Sequence, residues 1–218
     1  MLITETIRFF VLHHNEVLKA TVQHLYLVAI PMAFCILIAI PLTILATRVQ
    51  KLYPWIIGFS NAMQTIPSLA LLALLIAIGS GIGLVPTVVA LFLYSLMPIV
   101  RNTFVGINGV SPEIKDAAMG MGVTNWQLLW MIELPLALKV IIAGIRSALV
   151  GTIGFATLGA LIGAGGLGSL ILRGLSMASN DIVLAGTLPA MLMAFLAEFL
   201  MSRLELLLTP RGLRVRKG

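Results

Sequence analysis

Residues 163–168, Gly-Ala-Gly-Gly-Leu-Gly, have the glycine spacing of a dinucleotide-binding loop. In such a loop the glycines allow a tight turn and let the backbone approach a pyrophosphate at the start of a helix. Asp181 follows Gly163 by 18 residues, close to where an acidic residue would bind the ribose. The motif indicates a nucleotide site only when a β-strand precedes it within a βαβ unit. The surrounding elements therefore decide whether this stretch binds a nucleotide.

Few other residues have the types and spacing that catalysis or metal binding requires. The three histidines, His13, His14 and His24, have no cysteine and no cluster of acidic residues beside them, so we expect no metal site. The single cysteine, Cys35, lies in an apolar run, which excludes an intrachain disulfide and favours a small core residue. No Ser-His-Asp pattern is evident, and the chain lacks the G-x-x-x-x-G-K-[ST] phosphate loop. We therefore expect no catalytic residues, no metal and no cofactor bound by this chain.

The composition places the chain in a membrane rather than in a soluble domain. Hydrophobic residues occupy 60% of the 218 positions and charged residues only 10%, whereas soluble domains contain about 25% charged residues. A chain of this length cannot bury so much apolar surface in its own core. The bilayer is the expected second apolar phase.

Four stretches without Asp, Glu, Lys or Arg define the expected membrane spans: residues 20–47, 52–100, 147–172 and 182–197. A helix needs about 20 residues to cross the hydrocarbon core. The 49-residue second stretch is therefore expected to hold two spans, separated by the glycine-rich turn at 79–83. The fold class is all-α, a polytopic membrane protein with one transmembrane domain over residues 1–218. Its spans are expected at residues 23–47, 56–78, 84–106, 140–162 and 182–206.

The distribution of basic residues predicts the orientation of these spans. With the N-terminus outside, ten basic residues fall on the cytoplasmic side and three outside, which is the bias of the positive-inside rule. The cytoplasmic ten are Arg48, Lys51, Arg101, Lys115, Lys139, Arg203, Arg211, Arg214, Arg216 and Lys217, and the outer three are Arg8, Lys19 and Arg173. We interpret the basic C-terminal tail as a cytoplasmic anchor near anionic lipid. The net charge of +6 thus indicates topology, and no nucleic-acid partner is expected.

The segment before the first span is predicted to form an amphipathic helix on the outer surface. Ile7, Phe10, Val11, Val17 and Leu18 recur at helical spacing, and charged residues with two histidines occupy the other face.

The one long loop, about residues 107–139, is expected to face the cytoplasm and to contain two short helices. Ser111 and Pro112 start the first, which is predicted to run from Pro112 to Met119 and to end at Gly120 and Gly122. Thr124 and Gln127 form a capping-box pattern for the second, which is predicted to stop at Leu134-Pro135. With Trp126 and Trp130 on it, this loop could dock a protein partner or fold back on its own bundle.

The spacing within this loop resembles the cytoplasmic motif of ABC importer permeases. That motif is Glu-Ala-Ala, three residues, Gly, nine residues, Ile, one residue and Leu-Pro. The matching residues here are Asp116, Ala117, Ala118, Gly122, Ile132, Leu134 and Pro135, with Asp116 in place of Glu. The resemblance implies a five-span type I importer permease core, whose coupling helix docks into a cleft of the ATP-binding subunit.

Longer stretches are similar to permeases of the osmoprotectant branch, which import glycine betaine, carnitine, choline or related quaternary-ammonium compounds. They are NAMQTIPSLALLALLIAIG, PTVVALFLYSLMPIVRNTFVGI and ATLGALIGAGGLGSLILRGL. The resemblance implies a bacterial plasma-membrane importer whose partners are an ABC ATPase that uses ATP and Mg²⁺, a substrate-binding protein or lipoprotein, and a second permease copy or similar chain. Methionine importer permeases look like more distant relatives, which leaves an amino-acid substrate as the alternative.

Two groups of residues are candidates for the translocation pathway. Asn61, Gln64, Thr65 and Ser68 fall partly on one face of the second span, where they line a pathway or hold helices together. Gly163, Gly165, Gly166 and Gly168 follow an apolar helix and not a strand, so the nucleotide interpretation fails its own test. We expect these glycines in the outer part of the pathway, or in a turn packed against another subunit.

Arg146 and Glu198 are charged residues inside proposed spans, and such residues are functional candidates by default. Both lie near the cytoplasmic end, so snorkelling to that interface is the favoured interpretation. A secondary transporter or channel would be expected to show internal repeats or ionisable residues at the midplane. Neither is evident, and no constellation supports a membrane enzyme.

Overall fold

The computed structural model describes residues 2–49 and 51–208, with side chains from residue 4 onward. Within these ranges every regular element is helical, which confirms the all-α prediction. The α-helices are α1 (Leu2–Leu12), α2 (His14–Arg48), α3 (Tyr53–Thr65), α4 (Ser68–Ala77), α5 (Leu84–Asn108), α6 (Pro112–Gly120), α7 (Asn125–Leu128), α8 (Leu134–Ala156), α9 (Leu167–Ser176) and α10 (Asn180–Leu208). A π-helical segment, Leu129–Glu133, joins α7 to α8, and a 3₁₀ segment, Thr157–Ile162, follows α8.

Four helices are long and apolar enough to cross a membrane, and a fifth span forms only if one bent pair counts as a unit. The four are α2, α5, the continuous run Asn125–Ile162 and α10. The bent pair is α3 and α4, which meet at an angle of 101°.

The second span is therefore not the single helix expected over residues 56–78. Pro67 has no backbone N–H, and its ring pushes Ile66 into an extended conformation with ψ 127°. The Ile66 carbonyl lies between the two helices, and the hydroxyl of Tyr94, on α5, donates a hydrogen bond to it. A side chain from a neighbouring helix thus provides the hydrogen-bond partner that this carbonyl lacks within its own segment.

The amphipathic N-terminal segment is divided between two helices. α1 ends at Leu12, and the residues after His13 belong to α2, which begins nine residues earlier than the expected span. Phe9 and Val17 are buried against α9 and α10, whereas Ile7, Val11 and Leu18 are exposed. The predicted amphipathic segment is therefore helical but interrupted at His13, and Phe9 and Val17, from its two parts, are buried in the same cluster.

The fourth span continues through the point where a helix end was predicted. Leu134-Pro135 does not stop the second loop helix, because the preceding turn is widened into a π-helix in which the Leu134 N–H donates to the Leu129 carbonyl. A wider turn accommodates a proline that would otherwise break the helix. The second half of the loop is consequently a continuous helical extension of α8.

The core lies where α2, α5 and α8 pack together. Leu27, Cys35, Ile99 and Ala156 are among its fully enclosed residues. α5 and α8 approach closely at Gly144, where a Cβ would meet the Pro98 carbonyl at 2.8 Å. α10 covers this core on one side and presents a long row of exposed apolar residues outward, which suits a helix that faces lipid.

Candidate functional site

α6 presents the first half of the loop motif on an exposed helix. Asp116 and Ala117 are exposed, whereas Ala118 is the one buried residue among the nine of α6. Ser111 occupies the N-cap position, and Pro112 follows it in the first turn. The pKa of Glu113 lies below its usual value because its carboxylate accepts hydrogen bonds from its own backbone N–H and from Ser111. α6 is therefore a short, well-started helix whose outer surface is free of the rest of the chain.

Gly122 ends α6 in a left-handed conformation. Its φ is +83°, and no atom lies within 4 Å of the position that a Cβ would occupy. The Gly122 N–H donates to the Met119 carbonyl at 2.9 Å, and the Val123 N–H donates to the Ala118 carbonyl at 3.2 Å. These bonds close the helix end. The prediction that Gly120 and Gly122 terminate this helix agrees with the structure.

The capping box after Gly122 is present as predicted. The Gln127 N–H donates to the Thr124 hydroxyl at 3.3 Å, and the Thr124 N–H donates to the Gln127 side chain at 2.9 Å. Trp126 and Trp130 are 62% and 60% exposed, with ring centroids 6.4 Å apart. They border an open groove of about 800 Å³ whose other wall is the end of α2, around Pro41 and Leu45.

The second half of the motif lies on a different element from the first. Ile132 is in the π segment, and Leu134 and Pro135 begin α8. Ile132 and Leu134 are partly buried, and Pro135 is exposed. Asp116, Ala117, Ala118 and Gly122 therefore belong to the exposed helix, while Ile132, Leu134 and Pro135 belong to the base of a span.

Glu133, which the sequence analysis did not single out, lies between these two halves and is almost fully buried. Its carboxylate is paired with Arg48, at the end of α2, and with Lys115, on α6, whose Nζ lies 3.3 Å from Oε1. One sequence signal could have revealed it: Glu133 is the only acidic residue between Asp116 and Asp181. A single acid inside a long apolar stretch requires a partner.

The glycines at 163–168 form a turn that packs against α2 of the same chain. Gly165 and Gly166 have φ of +81° and +71°, and the Gly166 N–H donates to the Gln23 side chain at 3.3 Å. A Cβ on Gly166 would lie 3.1 Å from Nδ1 of the buried His24, whose Nε2 is 3.0 Å from the Ile153 carbonyl. These residues therefore join α2 to the C-terminal end of α8.

The same turn lacks the context of a nucleotide site. A 3₁₀ helix precedes Gly163, and Gly168 sits where a Cβ would overlap the Thr157 carbonyl. Gly163 itself is open, with φ +81°. Asp181 begins α10 and accepts a hydrogen bond from the Ser179 hydroxyl, which is a local role at a helix start. That these four glycines border the pathway stays a prediction.

The bend between α3 and α4 separates the polar residues of the second span. Asn61, Gln64 and Thr65 are exposed near the end of α3, whereas Ser68 begins α4 and is partly buried. The Thr65 hydroxyl donates to the Ala62 carbonyl. The three exposed side chains are unusual on an otherwise apolar surface, and their place in the pathway stays a prediction.

Arg146 is held by an ion-pair network between α8 and α10. Its Nη1 lies 2.8 Å from the Ser202 hydroxyl, 3.4 Å from Oε1 of Glu198 and 3.3 Å from Oε2 of Glu205. The charge is therefore compensated within the chain, an arrangement that the snorkelling interpretation did not include.

Among the described residues, no group of three or more His, Cys, Asp or Glu side chains is placed to hold a metal.

Comparison with known proteins gives similarity over nearly the whole chain. A family model described as "Binding-protein-dependent transport system inner membrane component" matches residues 39–210. The carnitine transport permease protein OpuCB of Listeria monocytogenes is 42% identical, over 97% of each chain. The osmoprotectant import permease protein OsmW of Salmonella typhimurium is 42% identical, over 96% of this chain and 100% of that protein. The glycine betaine/carnitine/choline transport system permease protein OpuCB of Bacillus subtilis is 40% identical, over 93% of each.

The fold is shared with a solved transporter. A chain of the MetNI methionine ABC transporter, in an inward-facing conformation, superimposes with a TM-score of 0.77. The match covers 89% of this chain and 97% of that chain, at 22% identity. The five-span permease core is therefore confirmed as the architecture, with its second span broken at Pro67.

Proposed function

Because the chain belongs to the family of binding-protein-dependent transport system inner membrane components, we propose that it is the membrane-spanning subunit of an ATP-driven importer for a small quaternary-ammonium osmoprotectant such as glycine betaine, carnitine or choline. The observation that carries the substrate class is full-length similarity, at 40–42% identity, to relatives named for osmoprotectant, carnitine or choline transport. The methionine transporter, at 22% identity, supports the architecture and leaves the amino-acid alternative with less support.

The proposed ATPase partner docks on α6. Asp116, Ala117 and Met119 are exposed there, and Ala118 is the one buried residue of this helix. ATP and Mg²⁺ would be bound by that partner. Motion of α6 during the ATPase cycle would reach the membrane through the continuous helical run Asn125–Ile162, and the spans would alternate between inward-open and outward-open states.

Two further partners complete the proposed importer. The described helices of one chain form a thin wall, so a second permease, either another copy or a similar chain, would enclose the pathway. A substrate-binding protein or lipoprotein would deliver the substrate from outside and do most of the selection, because quaternary ammonium groups are recognised by clustered aromatic rings. This chain is only 7% aromatic. Asn61, Gln64 and Thr65, with the open Gly163, are proposed to line the pathway.

The proposed location is the plasma membrane of a bacterium, with the N-terminus outside and the C-terminus cytoplasmic. Charged residues from distant positions gather at the two ends of the bundle. Arg48, Lys115 and Glu133 meet at one end, and Glu16 meets Arg173 at 2.5 Å at the other. This placement supports a bundle that spans the membrane, and the proposed orientation rests on the basic residues, four of which, Arg211, Arg214, Arg216 and Lys217, lie outside the described residues.

Transport assays in proteoliposomes test the proposal. The chain is reconstituted with its ATPase and binding protein, with ATP on the side that α6 faces, and uptake of labelled glycine betaine, carnitine, choline and methionine is compared. We expect ATP-dependent, saturable uptake of at least one quaternary-ammonium compound and none of methionine. Uptake of methionine alone would favour the amino-acid alternative, and uptake that follows an ion gradient without ATP would favour a secondary transporter.

A further inference from the structure

A buried ion cluster joins α6 to the ends of two membrane spans. Glu133 is 1% exposed. Its Oε2 is paired with Arg48 Nη2, and its Oε1 lies 3.3 Å from Lys115 Nζ. Arg48 is the last residue of α2, Lys115 lies within α6, and Glu133 is the last residue of the π segment that leads into α8. Three elements that are distant in sequence therefore meet at one carboxylate.

Burial makes this cluster resistant to separation. A carboxylate removed from water is strongly destabilised unless it is paired, and each oxygen of Glu133 has a different cation. Neither Arg48 nor Lys115 can substitute for the other, since they approach from different elements. Displacement of one partner is consequently opposed by the desolvation of the carboxylate, and the three groups tend to move together.

α6 has few other attachments that could transmit a directed motion. Ala118 is its one buried residue, and an alanine methyl resists compression but not sliding. The Lys115–Glu133 ion pair, by contrast, links a point on α6 to a point on the span. The π turn at Leu129–Glu133 adds a place where the helix is less regular and can adjust, as such turns often do at functional sites.

We infer that Glu133 is a positioning residue for coupling, which transmits displacement of α6 to the ends of α2 and α8 through its two ion pairs. The inference rests on the proposed function, because it requires an ATPase that moves α6. Glu133 itself contacts neither the substrate nor the nucleotide in this scheme.

The test measures the ratio of substrate molecules imported to ATP molecules hydrolysed in the same proteoliposomes. Lys115→Gln removes only the α6 arm of the cluster and leaves Glu133 paired with Arg48. We expect the complex to assemble with a lower thermal midpoint, because one oxygen of the buried carboxylate loses its cation. The ratio for the assembled complex should fall by about fivefold or more, the scale of a typical coupling energy. Lys115→Arg should keep a ratio near wild type. Lys139→Gln is the matched control, because Lys139 is exposed on α8 near the same end.

Glu133→Gln and the double variant Lys115→Gln/Glu133→Gln supply a second measurement. If the two residues act through one ion pair, the double variant should couple no worse than Glu133→Gln alone. An unchanged ratio in Lys115→Gln, or equal proportional losses of uptake and hydrolysis, overturns the inference while a coupled wild-type complex leaves the proposed function intact. A wild-type complex that hydrolyses ATP without importing any quaternary-ammonium compound contradicts the proposed function and the inference together.

Discussion

At the scale of single residues, two glycines at the end of α6 separate the effect of backbone conformation from that of space. Gly120 and Gly122 both have open surroundings, with no atom within 4 Å of a Cβ. Only Gly122 has a positive φ, +83°. A left-handed conformation costs a residue with a side chain about 1–2 kcal/mol. The requirement for glycine at 122 is therefore conformational.

Gly122→Val should impair coupling without affecting insertion, because the spans are untouched. We expect Gly122→Val and, more mildly, Gly122→Ala to lose ATPase binding or ATP-driven uptake, with a cost of about 1–3 kcal/mol for the strained backbone. Gly120→Ala is the control with equal space and ordinary φ, and Gly122→Asn should recover part of the activity because Asn tolerates this conformation. Co-purification of the ATPase and vesicle uptake are measured together. Wild-type uptake by Gly122→Val would refute α6 as the coupling element.

Asp116→Ala should reduce ATP-driven uptake less than Gly122→Val does, since one exposed charge contributes little unless it is paired.

At Gly168 the need for glycine comes from lack of space for a side chain rather than from the backbone conformation. A Cβ would overlap the Thr157 carbonyl, whereas helical Gly154 has nothing within 4 Å. We expect Gly168→Ala to reduce the yield of detergent-stable protein severely, with a destabilisation of at least about 1–3 kcal/mol from overpacking. Gly154→Ala should leave it near wild type. Equal yields for the two variants would contradict the close packing of α9 on the 3₁₀ segment.

At the scale of elements, the bend between α3 and α4 depends on a hydrogen bond from another helix. The break at Ile66-Pro67 leaves the Ile66 carbonyl outside both helices, and the Tyr94 hydroxyl donates to it from α5. An unpaired carbonyl in the hydrocarbon region is costly. The geometry of the second span is therefore set partly by α5.

Tyr94→Phe should lower stability through this one bond. Loss of a buried partner costs about 1–3 kcal/mol, which should appear as a lower midpoint of thermal inactivation in detergent. Tyr26→Phe provides the comparison, because Tyr26 is exposed. A midpoint that does not change in Tyr94→Phe would mean that the bend stands without the bond.

Local chemistry made some elements of the candidate site predictable from sequence. The capping box at Thr124 and Gln127 and the glycine stop at Gly122 depend on neighbouring residues alone, and both are present. The bend at Pro67 and the continuation through Pro135 could not be distinguished, since each depends on whether tertiary contacts favour a break or a widened turn. Glu133 was missed because its partners, Arg48 and Lys115, are distant in sequence, and only the folded chain brings them to one carboxylate.

At the scale of the whole molecule, the paired charges lie near the ends of the bundle, whereas its flanks are apolar. Glu16 and Arg173 define one end, and Arg48, Lys115 and Glu133 the other. This distribution is what a bilayer imposes, since charge is tolerated at the interfaces and penalised between them.

Reporter fusions test the orientation of the chain. A reporter after Gly218 should score cytoplasmic and one near the N-terminus external, because ten of the thirteen basic residues other than Arg146 then lie on the cytoplasmic side. Replacing several of the cytoplasmic arginines and lysines with neutral residues should increase the fraction of chains that insert in the reverse orientation. The same side for both reporters would contradict an odd number of spans.

The ion pairs of Arg146 have a consequence for biogenesis. Arg146 lies near the middle of α8, and its partners Ser202, Glu198 and Glu205 are all on α10, which is synthesised later. An arginine within an isolated span disfavours insertion, by up to about 2.5–3.5 kcal/mol at the centre of the bilayer and by less toward its edge. We therefore expect α8 to insert stably in the bilayer only after α10 has been synthesised and can pair with Arg146. A chain truncated after residue 179 should leave α8 poorly inserted, as measured by cysteine accessibility, and Arg146→Leu should restore insertion in that truncated chain. Full insertion of the truncated wild-type sequence would show that α8 enters on its own, ahead of its partner.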